Sequence, residues 1–126
     1  MKRYVALLLV AAASVAVAAG SAPGYVSVYI SDNRAIGMSI SPNNQLEADD
    51  IASTSCAEYA ADDDKETCVK AIEGVAKCVA VARSEEGAWG AAMGETTKKA
   101  SDLAAKTFNK YAKSKCTVDK AAKLCI

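Results

Sequence analysis

The feature that most constrains this chain is an internal similarity between its two halves. Residues 25–28 align with residues 78–81, and the alignment continues without a gap at a constant spacing of 53. The matching pairs are Val26 with Val79, Val28 with Val81, Ser31 with Ser84, Ala35 with Ala88, and Gly37 with Gly90. Both copies alternate apolar and small residues around a run of turn-forming residues, Ser31–Arg34 or Ser84–Gly87. Each half is therefore predicted to begin with a β-hairpin.

The similarity continues, at a spacing of 52, into two helical segments. Apolar residues recur there at helical intervals, which predicts one buried face for each helix. These residues are Ala48, Ile51, Ala52, Cys56 and Tyr59 in the first half, and Ala100, Leu103, Ala104, Phe108 and Tyr111 in the second. Polar residues at 41–43 and 95–97 are typical of helix starts. A third strand is predicted after each helix, from residue 68 and from residue 116.

These patterns predict an α+β protein built from two similar β-hairpin–helix–strand units, residues 25–77 and 78–126. We expect the units to form one antiparallel sheet with both helices on one face, stapled by disulfides. Because a unit with a single helix has little core of its own, residues 25–126 are predicted to fold as one domain.

The N-terminal segment predicts export. Lys2 and Arg3 precede an unbroken apolar run over residues 5–19, and residues 16–18 supply the small residues that signal peptidase reads. A membrane-spanning helix needs about 20 apolar residues, so the run favours a signal peptide, residues 1–18, over a retained anchor. Residues 19–24 would then form a flexible segment. The mature protein is expected in the periplasm or outside the cell, with no membrane span.

The five cysteines favour an oxidising compartment. Cys56 ends the first predicted helix and Cys68 begins the following strand, so a disulfide between them would staple a polar loop. Cys78 opens a strand and Cys125 nearly ends the chain, which suits neighbouring antiparallel strands.

The remaining thiol belongs to Cys116. In the aligned halves Phe108 stands where Cys56 stands, so Cys116 lacks the partner that Cys68 has. It is either a buried, inert thiol in a monomer or a surface thiol that links two chains into a dimer.

Charge and composition exclude several functions. Bases and acids number 15 each, which argues against a nucleic-acid binder. The absence of histidine removes the commonest general base and metal ligand. The acidic run 62–64 lacks the spacing of a calcium loop and is interpreted as a solvated loop, and the glycines match no nucleotide motif. No metal or cofactor is expected.

One charged surface is distinctive. Lys99, Lys106, Lys110 and Lys113 recur at helical spacing along the second helix. They lie in a half with nine bases and five acids, whereas residues 23–77 carry four bases and ten acids. The lysines form either the ordinary solvated face of a helix or a site for an acidic protein or another anionic component of the envelope or host.

The residues also resemble a known family. A hairpin with Ala88, Trp89 and Gly90, an alanine-rich helix and a terminal Cys125 resemble the DUF4189 family over residues 25–126. Its members are small secreted or periplasmic bacterial domains of unknown function, many with six cysteines over two similar halves. The resemblance implies a fold and a compartment but no catalytic residues.

The sequence thus favours a binding or interaction module, such as an inhibitor, an immunity-type protein or an effector. The rival class is a small secreted hydrolase that uses carboxylates, since acids are plentiful although no pair stands out.

Overall fold

The computed structural model describes residues 22–84, 88–109 and 122–126. The strands are β1 (Gly24–Ile30), β2 (Ile36–Ser41), β3 (Val69–Ala76), β4 (Cys78–Arg83), β5 (Trp89–Gly94) and β6 (Lys123–Cys125). The helices are α1 (Gln45–Tyr59) and α2 (Thr97–Asn109), with a short 3-10 helix at Lys65–Thr67. Both units follow the order hairpin, helix, strand.

The two predicted hairpins are present. In the first, Arg34 N–H donates to the Ser31 carbonyl at 3.0 Å and Ser31 N–H donates to the Ala35 carbonyl at 3.0 Å. Arg34 closes this turn in the left-handed region, at φ 71°. In the second, Ser84 N–H donates to the Ala88 carbonyl at 3.1 Å. The same closing bond therefore occurs at aligned positions of both units.

Each helix begins at a capping side chain. The Asn44 side chain accepts from Glu47 N–H at 2.8 Å, and the Thr96 hydroxyl accepts from Lys99 N–H at 3.1 Å. The first cap lies just after the predicted polar run at 41–43, and the second lies within the run at 95–97.

The α+β class with disulfide staples is confirmed, but the strands do not form the single sheet that the sequence predicted. They form two three-stranded antiparallel sheets, ordered β2-β1-β3 and β5-β4-β6. The helices also do not share one face: α1 packs on β1 and β2, whereas α2 packs on β4 and β5.

Burial on both faces of the central strands explains this arrangement. Val26 and Val28 of β1 share a core with Val79 and Val81 of β4, so the sheets face each other through these side chains. The alternate residues of β4, Ala80 and Ala82, pack instead with Ala100 and Ala104 of α2. A strand buried on both faces needs a layer on each side, and the result is a four-layer order: α1, sheet, sheet, α2.

The buried helix faces are narrower than predicted. Ala48, Ala52 and Cys56 of α1 are fully buried, whereas Ile51 is 48% and Tyr59 77% exposed. In α2, Ala100 and Ala104 are buried and Leu103 is 47% exposed, and the side chains of Phe108 and Tyr111 lie outside the described part of the chain. Only small residues face the sheets because the helix backbone lies directly against them. At α1 the approach is so close that a Cβ added to Gly37, in β2, would fall 2.5 Å from the backbone nitrogen of Cys56.

Candidate functional site

A cleft with several charged groups lies where the two units meet. It has a volume of about 490 Å³. One wall is the first hairpin turn, a second is the end of α1 with the loop after it, and the second unit contributes Arg83 and Ala122. The lining residues are Asn33, Arg34, Ala35, Ile36, Tyr59, Ala60, Ala61, Asp64, Arg83 and Ala122.

Asp64 fixes two of these walls to each other. It is only 3% exposed. Asn33 N–H donates to both carboxylate oxygens at 3.3 Å, and the Thr67 hydroxyl lies 2.8 Å from Oδ1. The hydrogen bond from the Ser31 hydroxyl is the largest cause that lowers the pKa of Asp64; burial opposes it, while Thr67 and Asn33 add to it. The carboxylate therefore stays ionised and joins the turn to the loop.

Two arginines give the cleft its charge. Arg34 Nη1 donates to the Asp32 carbonyl at 2.9 Å and to the Ser31 carbonyl at 3.3 Å. Arg83 Nη1 donates to the Arg34 carbonyl at 3.3 Å, which brings the end of β4 to the hairpin turn. Among the described lining residues, the third charged side chain is the carboxylate of Asp64.

The end of α1 carries its own cation. Lys65 Nζ donates to the Ala57 carbonyl at 2.7 Å and to the Ala60 carbonyl at 3.5 Å. A lysine at this position offsets the partial negative charge of the helix C-terminus.

Two disulfides lie within the described part of the chain. Cys56 and Cys68 are joined at an S–S distance of 2.07 Å, and Cys78 and Cys125 at 2.06 Å. The sequence suggests the first pair as a staple of the loop after the helix, and the second as a link between neighbouring antiparallel strands. The first closes the loop that carries Asp64, and the second ties β6 to β4. Cys116 lies outside the described residues.

The predicted lysine face is only partly described. Lys99 and Lys106 are exposed on α2, while Lys110 and Lys113 fall outside the described ranges. Their neighbour Lys98 pairs with Asp102 at 2.7 Å, and this hydrogen bond raises the pKa of Lys98. This face is not part of the cleft.

A second group of charges lies on the first unit. Lys70 contacts Asp49 at 2.6 Å and Glu73 at 2.5 Å. Burial works against ionisation of Asp49, but the hydrogen bonds from Lys70 and Gln45 outweigh it and lower its pKa. The group joins α1 to β3. Within the described ranges, no three Cys, Asp or Glu side chains are arranged to hold a metal ion, and no helix is long and apolar enough to cross a membrane.

Sequence reasoning missed the cleft residues. Asp64 was interpreted as part of a solvated acidic loop, but the structure buries it while Asp62 and Asp63 stay exposed. The sequence places Arg34 in a hairpin turn and Arg83 among the bases of the second half, with no site assigned to either. A usable signal was present: they are the only arginines after residue 18.

Comparison with known proteins identifies a family but no individual protein that matches the chain. No curated protein and no solved structure matches the chain. A family model described as a domain of unknown function, DUF4189, matches residues 23–123. That match covers most of the chain and agrees with the resemblance noted from the sequence. The chain therefore belongs to the DUF4189 family.

Proposed function

We propose that this protein is an exported, disulfide-bonded binding module that holds its ligand in the cleft between the two units. The observation that carries the proposal is the meeting of Arg34 and Arg83, one from each unit, at a concave site. Ligand sites are usually concave and have a few convergent polar groups.

The walls of this cleft are held in place before any ligand arrives. Asp64 ties the turn to the loop, and the Cys56–Cys68 disulfide ties the loop to the end of α1. A site with fixed walls loses less conformational freedom on binding, which favours affinity. Fixed walls of this kind suit a protein that binds its target as an inhibitor, an immunity-type protein or an effector.

Two carboxyls of the described residues, Asp49 and Asp64, do not suit the acid of a glycosidase. A glycosidase needs one carboxyl with a raised pKa to donate a proton. Asp49 and Asp64 instead have lowered pKa values and accept hydrogen bonds that join elements of the fold.

Export is the second part of the proposal, and it is supported by the basic, apolar and small-residue pattern of residues 1–18. The intact mass of protein recovered from periplasm or medium tests it. A mass that retains residues 1–18 would contradict export with processing at this site.

Affinity capture tests the cleft. Purified oxidised protein is immobilised and exposed to envelope extract, beside matched Arg34→Gly and Lys99→Gln proteins. Glycine adopts a positive φ without strain, so Arg34→Gly removes the guanidinium and keeps the turn. We expect a partner that both the parent and Lys99→Gln retain and Arg34→Gly loses. Equal capture by all three, or turnover in a substrate panel that Asp49→Asn abolishes in a folded protein, would contradict the proposal.

A further inference from the structure

The two helices lie on opposite outer faces of the molecule and carry opposite charge. The helix α1 contains four acids and no base, whereas α2 contains three lysines, Lys98, Lys99 and Lys106, and one acid, Asp102. Since the layers run α1, sheet, sheet, α2, each helix covers the outside of a different sheet. In the described part of the chain, one outer helix is therefore acidic and the opposite one is basic.

The outer surface of α1 combines an apolar residue with negative charge. Ile51 is 48% exposed, and it lines an open depression of about 450 Å³ together with Asp50, Thr54, Ser55 and Glu58. Asp50 and Glu58 are exposed, and neither carboxylate forms an ion pair with a lysine or arginine of the described residues. We call Asp50, Ile51 and Glu58 the acidic face.

The outer surface of α2 has a similar layout with the opposite charge. Lys99, Leu103 and Lys106 recur at helical spacing, which places them on one side of the helix. Leu103 is 47% exposed, and both lysines are exposed without an ion-pair partner among the described residues. Leu103 stands at the position aligned with Ile51, at the spacing of 52. The two units thus expose an apolar side chain at the same place, beside acids in one and beside lysines in the other. We call Lys99, Leu103 and Lys106 the basic face.

We propose that copies of this protein associate head to tail, with the acidic face of one copy packed against the basic face of the next. In this contact Ile51 and Leu103 bury apolar surface against each other, while the carboxylates and lysines around them pair. An apolar centre with a polar rim is the usual anatomy of a protein interface. The partner is a second copy because this chain supplies both complementary faces. The association goes beyond the proposed binding function, and it uses no residue that lines the cleft.

The positions of the two faces determine the kind of assembly. A two-fold dimer would require both faces of one copy to reach the same partner, but the two sheets lie between them. Each copy instead joins two neighbours through different surfaces, which produces a ring or a filament. The mass of the assembly should therefore rise beyond that of a dimer as the protein concentration increases.

Sedimentation velocity of the oxidised protein over a range of concentrations tests the association. We expect the weight-average mass to pass that of a dimer at about 0.1 M salt and to fall toward that of the monomer at about 1 M. The reason is that the screening length of exposed charges drops from about 10 Å to about 3 Å between these conditions. The mass under denaturing, non-reducing conditions is the control for chains joined by a disulfide.

Reciprocal charge reversal assigns the two faces. One variant carries Asp50→Lys and Glu58→Lys, and the other carries Lys99→Glu and Lys106→Glu, so each variant alone has two faces of like charge. Each should associate roughly tenfold or more weakly than the parent, because like charges then meet across the contact. An equal mixture of the two variants should associate again, since the faces of one are opposite in charge to the faces of the other.

The control variant makes the same change in charge at another place. Asp63→Lys with Glu66→Lys alters two exposed acids in the loop after α1 and should associate like the parent. Thermal midpoints establish that every variant is folded. The proposal is overturned if the parent stays a monomer, if its mass stops at a dimer, if the control loses association as the face variants do, or if the mixture does not recover it. Arg34→Gly should associate like the parent, so that failure of this contact and failure of the cleft are separate results.

Discussion

At the scale of single residues, the cleft depends on polar groups that satisfy one another. The Ser31 hydroxyl accepts from Ala35 N–H at 2.8 Å and donates to Asp64. The Thr67 hydroxyl accepts from Asp32 N–H at 2.8 Å, so the same small network fixes both ends of the turn. Buried polar groups are favourable only when they are all paired, and each member of this network is paired with another.

We predict that Asp64→Asn destabilises the protein at neutral pH, because an amide would place N–H groups against the donors that now face the carboxylate. Asp63→Asn, in the same acidic run but exposed, is the matched control and should have little effect. Thermal midpoints of the three proteins between pH 3 and pH 8 provide the measurement.

The difference in stability between the parent and Asp64→Asn should depend on pH in a definite direction. The folded pKa of Asp64 is lowered, so its contribution to stability is fully present above the unfolded value of about 3.9 and is lost as pH falls through the folded pKa. The gap between parent and Asp64→Asn should therefore be constant near neutrality and shrink below about pH 4. A gap that widens in acid would contradict this account.

At the scale of elements, glycine positions show which contacts are rigid. A Cβ on Gly37 would overlap the Ala52 carbonyl oxygen and lie 2.5 Å from Cys56 N, both in the backbone of α1. A Cβ on Gly74 would instead lie 2.7 Å from the terminal methyl of Met93, a flexible side chain. The helix backbone cannot move away locally, whereas Met93 can change rotamer.

Gly37→Ala is accordingly predicted to cost about 3 kcal/mol of unfolding free energy, as overpacking against backbone does, and Gly74→Ala less than about 1.5 kcal/mol. Urea denaturation of the two variants measures the difference. Similar losses in both would mean that α1 is not seated on β2 as closely as described.

The lysine face of α2 is a second prediction at this scale. Replacing Lys99 and Lys106 with Glu should hardly change the thermal midpoint, because both are exposed and exposed charges contribute little to stability. If this face meets an acidic partner, the variant should lose affinity strongly at low salt, since exposed charges are screened within about 10 Å at 0.1 M. Unchanged binding, or binding independent of salt, would identify a solvated face.

At the scale of the whole molecule, the sequence predicted the elements better than their assembly. Alternation at Val26 and Val28 predicts a strand whichever layer covers it, so the hairpins could be located from the sequence. The two-residue period of a strand does not say whether the residues that alternate with Val26 and Val28 face water, a helix or a second sheet. For this reason the two sheets were predicted as one. The helix faces were misjudged for a related reason: Ile51 and Leu103 fit the helical period, but the close approach of helix and sheet admits only small residues.

The cleft was less accessible to sequence reasoning because its residues are distant in the chain. Arg34 and Arg83 are 49 residues apart, and only the assembly of the two units brings them together. Asp64 is chemically identical to Asp62 and Asp63, and the turn that buries it belongs to a different segment. The one local indicator of the cleft in the sequence was that Arg34 and Arg83 are the only arginines after residue 18.

The thiol chemistry of the whole chain yields a direct prediction. With Cys56–Cys68 and Cys78–Cys125 formed, alkylation of the oxidised protein followed by peptide mapping without reduction should label Cys116 alone. A peptide that joins Cys116 to Cys125, or a dimer linked through Cys116, would require a different account of this thiol.

The two disulfides should also differ in what they stabilise. The chain-entropy estimate gives about 3 kcal/mol for the loop between Cys56 and Cys68, and about 4 kcal/mol for the longer loop between Cys78 and Cys125. Replacing either pair with alanines should lower the urea midpoint, the second pair more. Only the first pair closes the loop that holds Asp64, so Cys56→Ala with Cys68→Ala should also speed amide exchange at Ala61 and weaken ligand binding in the cleft. The second pair should leave cleft binding close to the parent under conditions where the protein stays folded. Equal loss of cleft binding in both double variants would show that the cleft depends on overall stability and not on the loop beside it.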